Sequence, residues 1–570
     1  MAEYVKLMEK EEDLLIENVN GKNLMEYTAE IAKWVRVSGT KEEVESLEYC
    51  KKVLDGFGYE TKLSFHKAFI SVPVKAFVEL EYPKRISFEA LGHSFAPSTP
   101  ATGLKAEIVI STCSSVAGKI VLCNGLPSVD EVARLSDLGA IGAIFAQDDY
   151  LHNIGLSPIW GGPSDKTEHL MPAIPVVSIT RDSGNTIRNE IEKNRTFVRI
   201  ESTVDTGWRD VPLLEANLKS DKSDKFLLFS SHIDSWDYGA MDNGSANATL
   251  IECARLLARK KEQWQRGLRL VFWAGHSQGK FFSSAWYSDN HFEELEEKCV
   301  GHVYVDSTGG MDAEIIIEAP VMPQTKKLAA DVIRKQTGQD FIGKRIGHYA
   351  DQSFYGVGLT SIFGTFSEQD ARKDKDVVSF KMGNTKFAGG LGWWWHTKHD
   401  TVDKVDEAFL VRDTKIYLAV IWRLLTSAIL PYDFNAAAKE MAHTVSGLQD
   451  SLKERFDLSL LKERIGQLVD ATEGLNKKIS DIKEPGEEAD KINDVLLKLS
   501  QNIVRITFHD NDCFDFDLSG PMFPLPSLES GKILAECAYD SYRYHATKLR
   551  LQRGYNRVMH YVKNALELLK

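Results

Sequence analysis

The chain has no Cys-x-x-Cys pair, no internal repeat, no low-complexity tract and no apolar run long enough to cross a bilayer. Its seven cysteines (Cys50, Cys113, Cys123, Cys253, Cys299, Cys513 and Cys537) are odd in number and widely scattered. That argues against a disulfide framework and for reduced core thiols. The longest apolar run, Tyr417 to Leu430, is 14 residues and contains Arg423, so it reads as a buried helix. The start, MAEYVKLMEKEEDLL, is acidic and lacks a basic segment followed by an apolar one, so no secretory signal is read there. Positive charge is also in deficit: 69 Lys and Arg against 82 Asp and Glu give a net charge of −13. Nucleic acid and an anionic membrane are thereby excluded as main partners. These absences leave a soluble, cytoplasmic protein as the expectation.

What is present is ordinary for a globular chain, with 43% apolar and 26% charged residues. At 570 residues it is too long for one core, so two to four domains are expected. Residues 1–65 open with helical patterning in which Leu24, Ile31 and Val35 share a side. Thr40, with Glu43 three positions on, opens the next helix as a capping box. Its apolar face is Val44, Leu47, Val53 and Leu54, and Tyr59 to Phe65 then alternates like a strand. Residues 66–202 carry short strands between turns: Val72–Leu80, Glu107–Ile110, Lys119–Leu122, Ala143–Ala146, Ala173–Ile179 and Val198–Ser202. One helix, Ser128 to Leu138, lies among them and is stopped by Gly139. This part reads as a mostly β accessory domain with no chemistry of its own.

Residues 203–432 hold the expected sheet. The run Phe226 to Ser231 is followed by a loop, a helix to about Lys261 and a second run, Leu268 to Trp273, which is the pattern of a parallel βαβ unit. A further run, Val300 to Val305, ends in Asp306. Strands alternating with helices predict an α/β domain, its sheet mixed but mostly parallel and covered on both faces. Residues 433–570 change again. Leu461, Ile465, Leu468 and Leu475 fall at helical spacing, as do Ile492, Leu496, Leu499 and Ile503, with Pro485-Gly486 between the two sets. An antiparallel helical bundle ending in a helix to Lys570 is the simplest account; it either packs on the sheet domain or pairs with a second copy.

Parallel sheets bind ligands beyond the carboxyl ends of their strands, and His232, Asp242, Asp306 and His396 are all expected there. Two imidazoles and two carboxylates suit zinc, manganese or iron. Asp234, two residues after His232, is placed to orient that ring from behind. A blander reading is open for each residue; Asp242, for example, is also a natural cap for the helix that follows it. Trp393-Trp-Trp395 precedes His396, and such aromatics either wall a substrate pocket or pack in a core. Arg372 and Lys373 read as a solvated charge cluster.

His232-Ile-Asp234-Ser-Trp together with Gly239-Ala-Met-Asp242-Asn-Gly resembles the metal-binding segment of the co-catalytic dizinc exopeptidases. That family includes aminopeptidases and glutamate carboxypeptidase II, and the transferrin receptor shares the fold. Gly118-Lys-Ile-Val-Leu-Cys with Leu138-Gly-Ala-Ile-Gly-Ala resembles a protease-associated domain inserted in the peptidase domain. Residues 433–570 resemble a receptor-like dimerisation domain, which implies a homodimer. The resemblance implies His232, Asp242 and Asp306 on one metal, with Asp242 bridging to a second that His396 binds. His399 is a rival for His396. Asp351 and Gln352, in Asp351-Gln-Ser-Phe-Tyr, resemble a loop beside the metals and are expected near substrate, as is Trp395.

The chain departs from the family at one place. The family carries two adjacent glutamates after the Leu268–Trp273 strand, a general base and a ligand of the second metal. Here His276 and Ser277 stand instead, in a register kept by Gly279, Ser284, Trp286 and Tyr287. A serine hydroxyl is a poor ligand, so one divalent ion, zinc, is expected rather than two. His276 still accepts a proton near neutral pH, or serves as an extra ligand. The expectation is a metal-dependent hydrolase of a small amide or short peptide, with His276 as base and Asp234 as orienter. The alternative is a catalytically inactive binding protein of the transferrin receptor kind.

Overall fold

The computed structural model describes residues 3–374, 378 and 389–570. Its organising feature is a long antiparallel ribbon of two strands, Glu60–Tyr82 and Phe197–Leu218. They pair from Glu60↔Asn217 to Tyr82↔Phe197, with an irregularity between Pro73 and Lys75, where proline has no N–H to give the ladder. One end of the ribbon joins the central sheet, through Leu214↔Phe272, and the other joins the insert, through Leu104↔Ile200. The expected boundaries at 66 and 202 therefore fall inside unbroken strands rather than in linkers.

In the insert, strands Leu104–Ile110, Ile120–Asn124, Gly142–Ala146 and Val176–Ile179 are parallel neighbours. Side chains alternate across a strand, and the cores follow. Ile120, Leu122, Ile144 and Val177 pack on one face, and Val121, Cys123, Ala143 and Val176 on the other. Helix Val129–Asp137 is capped by Ser128, whose Oγ accepts the N–H of Glu131 at 3.2 Å.

The central strands follow the same logic. Phe226–His232 is buried along its whole length and pairs in parallel with Gly267–Trp273 on one side and Cys299–Tyr304 on the other. Leu227 and Phe229 enter one core with Leu268, Leu270 and Phe272, while Phe226 and Leu228 face another with Val271 and Trp273. Both faces are covered, the first by the crossover helix Ala246–Ala258 and by Glu407–Thr426. Among the described residues the sheet has thirteen strands, running from the insert through the ribbon into the peptidase-like half.

At the N-terminus the capping box forms in a shifted version. Thr40 Oγ1 accepts the N–H of Glu43 at 3.4 Å, and the Glu43 carboxylate accepts the N–H of Gly39 at 2.7 Å. Leu24 and Ile31 are buried, but Val35 is exposed because its helix already ends at Ala32. The C-terminal helices Phe434–Leu452, Ser459–Asp481, Glu487–Thr507 and Tyr542–Leu568 share one continuous core with the central sheet. Polar ties fasten them as well: Ser500 Oγ donates to Gly358 O at 2.7 Å and Asn493 Nδ2 to Ala428 O at 2.8 Å. No described helix is long and apolar enough to cross a membrane.

Candidate metal centre

From the carboxyl end of Phe226–His232 the chain leaves to one side, to Gly267–Trp273, and returns on the other as Cys299–Tyr304. Such a switch point leaves a crevice above the strand ends, and the candidate residues gather in it. His232 closes its strand; its Nδ1 donates to the Asp234 carbonyl at 3.0 Å, which leaves Nε2 aimed at the acids. Nε2 lies 3.1 Å from Asp242 Oδ1 and 3.8 Å from Asp306 Oδ2. The other Asp242 oxygen lies 3.0 Å from His396 Nε2. One carboxylate thus spans two imidazoles. His399 instead packs against Tyr150 and Trp393, which separates the two rival histidines.

Asp234 acts through both its backbone and its side chain. Its carboxylate, 3.8 Å from His232 Nδ1, accepts the N–H of His276 at 3.0 Å and of Ser277 at 2.8 Å. That carboxylate fixes the loop after Trp273. His276 is then stacked on His232, with ring centroids 3.8 Å apart, and its Nδ1 lies 2.7 Å from Asp351 Oδ2. Asp351 is fully buried and also accepts from Ser284 Oγ at 2.7 Å and Tyr304 OH at 3.1 Å. Asp351 therefore stands behind His276. Gln352 is buried and donates to the Phe363 carbonyl at 3.0 Å, while Trp395 is buried and stacks on His396. Gln352 borders a small pocket with Trp160, His348 and His509. Arg372 pairs with Asp370 and Lys373 with Glu314.

Several supporting residues carry no sequence motif of their own. The Asp400 carboxylate accepts the N–H groups of Met241 at 2.8 Å and Asp242 at 2.9 Å, fixing the turn that presents Asp242. Arg36, fully buried, donates to the carbonyls of Ile233 and Gly239 and holds that same turn from the other side. Tyr304 lies two residues before Asp306 and so projects from the same face of the chain. That spacing was a readable signal for it. No comparable signal marks Asn153, whose carbonyl accepts from His396 Nδ1 at 2.7 Å.

The electrostatics are those of a site with too much negative charge for its volume. Burial lowers the proton affinity of His232, but the hydrogen bond to Asp242 and the charges of Asp306 and Asp234 outweigh it, and the pKa rises to about 10. Burial pushes Asp242 up, yet its bonds to His232 and His396 hold it well below the usual carboxylate range. Asp306 is raised by burial, only partly offset by His232. Burial likewise raises Asp400, to about 7. Asp351 stays below its ordinary value because His276 outweighs its burial.

The donor set fits a divalent ion. Ser277 Oγ is buried and has no hydrogen-bond partner, and buried His232 Nε2 faces the carboxylates of Asp242 at 3.1 Å and Asp306 at 3.8 Å. His232, His276 and Asp306 each present one ligand atom, all within 4.8 Å of one another. An imidazole nitrogen aimed into crowded, buried carboxylates is an arrangement that a cation such as zinc relieves. Ser277 Oγ bonds no base, so His276 and Ser277 do not form a nucleophile pair.

Residues 214–421, which hold every candidate ligand, match the family described as Peptidase family M28, and residues 88–187 match the PA domain. The chain is 25% identical over 284 residues to a probable glutamate carboxypeptidase, VP8, of Zea mays, covering 46% of this chain and 37% of that protein. It is 21% identical over 511 residues to the probable glutamate carboxypeptidase AMP1 of Arabidopsis thaliana, covering 75% of this chain and 71% of that one. Thus the match spans barely more than a third of the maize relative's length. Among solved structures, BSAP, a zinc aminopeptidase from Bacillus subtilis, superposes with a TM-score of 0.54 at 17% identity, over 72% of this chain and 96% of that one. That likeness is one of fold.

Proposed function

We propose, from a chain that carries a peptidase family M28 domain with a PA domain set into it, that this protein is a metal-dependent hydrolase of a small amide or short-peptide substrate. Its proton transfers would run through His276, backed by Asp351. The observation that carries the reading is the run of close approaches from Asp306 through His232 and Asp242 to His396, with His276 stacked on His232 and within reach of Asp306.

Zinc is the proposed ion, because the donors are nitrogen and oxygen and the B. subtilis neighbour is a zinc aminopeptidase. His232, Asp242 and Asp306 would hold the main ion; Asp242 and His396 would share a second, weaker position that lacks a carboxylate at Ser277. When bound, such an ion polarises a carbonyl and acidifies water. The remaining work falls to side chains. Asp351 takes the Nδ1–H of His276 at 2.7 Å and leaves Nε2 free as the base. Nε2 accepts a proton from the attacking water and returns it to the departing amine. Asp351 offsets the positive charge that the ring carries between those transfers, and Tyr304 donates to the same Asp351 oxygen at 3.1 Å. Asp234 keeps the backbone of 276 and 277 in place.

A noncatalytic binding role is the second reading, favoured by the hydroxyl at Ser277 where the resemblance puts a ligand carboxylate. Metal analysis of the purified protein, with an amide and short-peptide library assayed on wild type and His276→Ala, separates the two. A chain that holds no ion and is indifferent to His276→Ala ends the hydrolase reading. Absence of turnover, with partner binding that survives chelation, supports the second. We place the protein in the cytoplasm, since all seven cysteines are free and five are buried. Pairing of two copies through residues 433–570 completes the proposal; sedimentation at the 64.0 kDa of one chain would remove it.

A further inference from the structure

The insert reaches the ligand cluster through a short relay. Strand Gly142–Ala146 runs into Gln147, which is buried and grips the loop after it. Gln147 Oε1 accepts the N–H of His152 at 2.7 Å, and Nε2 donates to the His152 carbonyl at 3.3 Å and to Ser178 Oγ at 2.7 Å. His152, itself buried, donates Nδ1–H to the Trp395 carbonyl at 2.5 Å. Asn153 gives the His396 carbonyl both its N–H, at 3.1 Å, and its Nδ2, at 3.2 Å. The Asn153 carbonyl accepts Nδ1–H of His396 at 2.7 Å. Two adjacent residues of the insert thus hold two adjacent residues of the site, 243 positions away. His396 also has φ of +57°, a conformation that a residue with a side chain keeps only when its surroundings impose it.

We propose that His152 and Asn153 are positioning residues for His396: the docked insert fixes which ring nitrogen is free and where it points. The ion position shared by Asp242 and His396 then exists only while the insert is seated. The inference rests on the reading of His396 as a ligand. Its physical basis is general, since a bond to the far ring nitrogen sets the tautomer and aim of a ligating imidazole. His232 is held differently, by the Asp234 carbonyl within the same domain at 3.0 Å. The insert also touches the loop after His276, where Gly161 N–H donates to the Lys280 carbonyl at 2.8 Å, but His396 is the candidate ligand whose ring nitrogen it holds.

The test uses His152→Phe combined with Asn153→Ala. Phenylalanine keeps a ring beside Trp395, whose centroid lies 6.2 Å from that of His152, but has no donor. The metal-free full chain is titrated with zinc by calorimetry, and its unfolding midpoint is measured without zinc. Wild type is expected to show two steps, with the weaker displaced about 10- to 100-fold in the variant. The tighter step should stay where it is, and the zinc-free midpoint should fall by no more than the lost hydrogen bonds account for. Two unchanged steps overturn the inference; so does loss of both together with the midpoint, which is the mark of a merely structural contact. Should the combined variant not fold, His152→Phe alone, which removes the buried donor to the Trp395 carbonyl, carries the same prediction. A wild type with one step that the variant leaves unmoved overturns the inference and spares the hydrolase reading. A wild type with no step overturns both.

Discussion

His276 Nδ1 and Asp351 Oδ2 stand 2.7 Å apart; Asp351 is buried, Tyr304 donates to that same oxygen and Ser284 to the other one. An imidazole held at one nitrogen by a carboxylate is a base with its other nitrogen ready. Asp351→Asn keeps the shape but removes the charge that offsets the protonated ring. The expected result is a fall in kcat of about 100-fold or more, with zinc content unchanged and the pH–rate profile displaced. Asp351→Glu should recover part of the loss. Unaltered kcat in both variants would mean that His276 carries no proton.

Asp234 ties the loop at 276 and 277 to the strand end at His232 through two charge-assisted bonds. Asp234→Ala leaves two buried N–H groups without an acceptor, which costs about 1–3 kcal/mol each. Denaturant unfolding should show a loss of several kcal/mol, with Asp234→Asn losing less because it retains one acceptor. A change below about 1 kcal/mol would mean that water replaces the carboxylate.

Carboxylates crowd the ligand cluster, and burial holds Asp306 above its ordinary pKa. A cation that binds only the folded chain stabilises it by about 2.7 kcal/mol at 100 times its dissociation constant. Scanning calorimetry should therefore show a lower midpoint after chelation, restored by zinc. Identical scans with and without the ion would leave the cluster without a metal role.

Much of this arrangement was legible in the sequence, because an apolar run shows where a buried strand ends. The runs closing at Ser231, Trp273 and Val305 located His232, His276 and Asp306 on one rim, and the parallel pairing that unites them followed from the helix between the first two. The Ser128 and Thr40 caps were readable too. Contacts made through backbone carbonyls were not: nothing in Asn153 marks a partner at His396. Burial also changed what Asp351 does. A carboxylate in a loop reads as exposed until the packing around Ser284 and Tyr304 is seen. The insert's edges were obscured because Glu60–Tyr82 and Phe197–Leu218 cross them as continuous strands.

Four histidines outside the ligand set make stability depend on acid. Burial pushes His66 and His152 down to about 4, and His93 and His302 down to about 3. In the unfolded chain each takes a proton near pH 6.5, so between pH 6.5 and about 4 the unfolded state binds more protons than the folded one. These four groups contribute stability that rises with pH across that window, opposed by Asp400, which burial raises to about 7 and which holds its proton more tightly in the folded chain. Each pKa unit corresponds to about 1.4 kcal/mol. Urea midpoints at pH 7 and pH 5 should differ in that sense, and His302→Gln should flatten the slope. A midpoint higher at pH 5 would contradict it.

Restoring the two glutamates tests how far the rest of the centre is intact. Asp234 would still hold the backbone at 276 and 277, so His276→Glu with Ser277→Glu should place both carboxylates on the same rim. The obstacle is Asp351, whose oxygen now lies 2.7 Å from the His276 ring and would face a new anion instead. Two like charges about 4 Å apart repel by about 4 kcal/mol at an effective dielectric near 20. The double variant alone should therefore keep the carboxyl introduced at position 276 protonated or turned away, with little gain. Adding Asp351→Asn removes the repulsion; the amide oxygen can still accept from Ser284, while the amide nitrogen stands where position 276 and Tyr304 met an oxygen. The triple variant should bind the second zinc more tightly than wild type does and hydrolyse aminoacyl amides that wild type leaves alone. If the double variant gains as much as the triple one, Asp351 does not govern the charge at position 276, and its pairing with His276 is no more than packing.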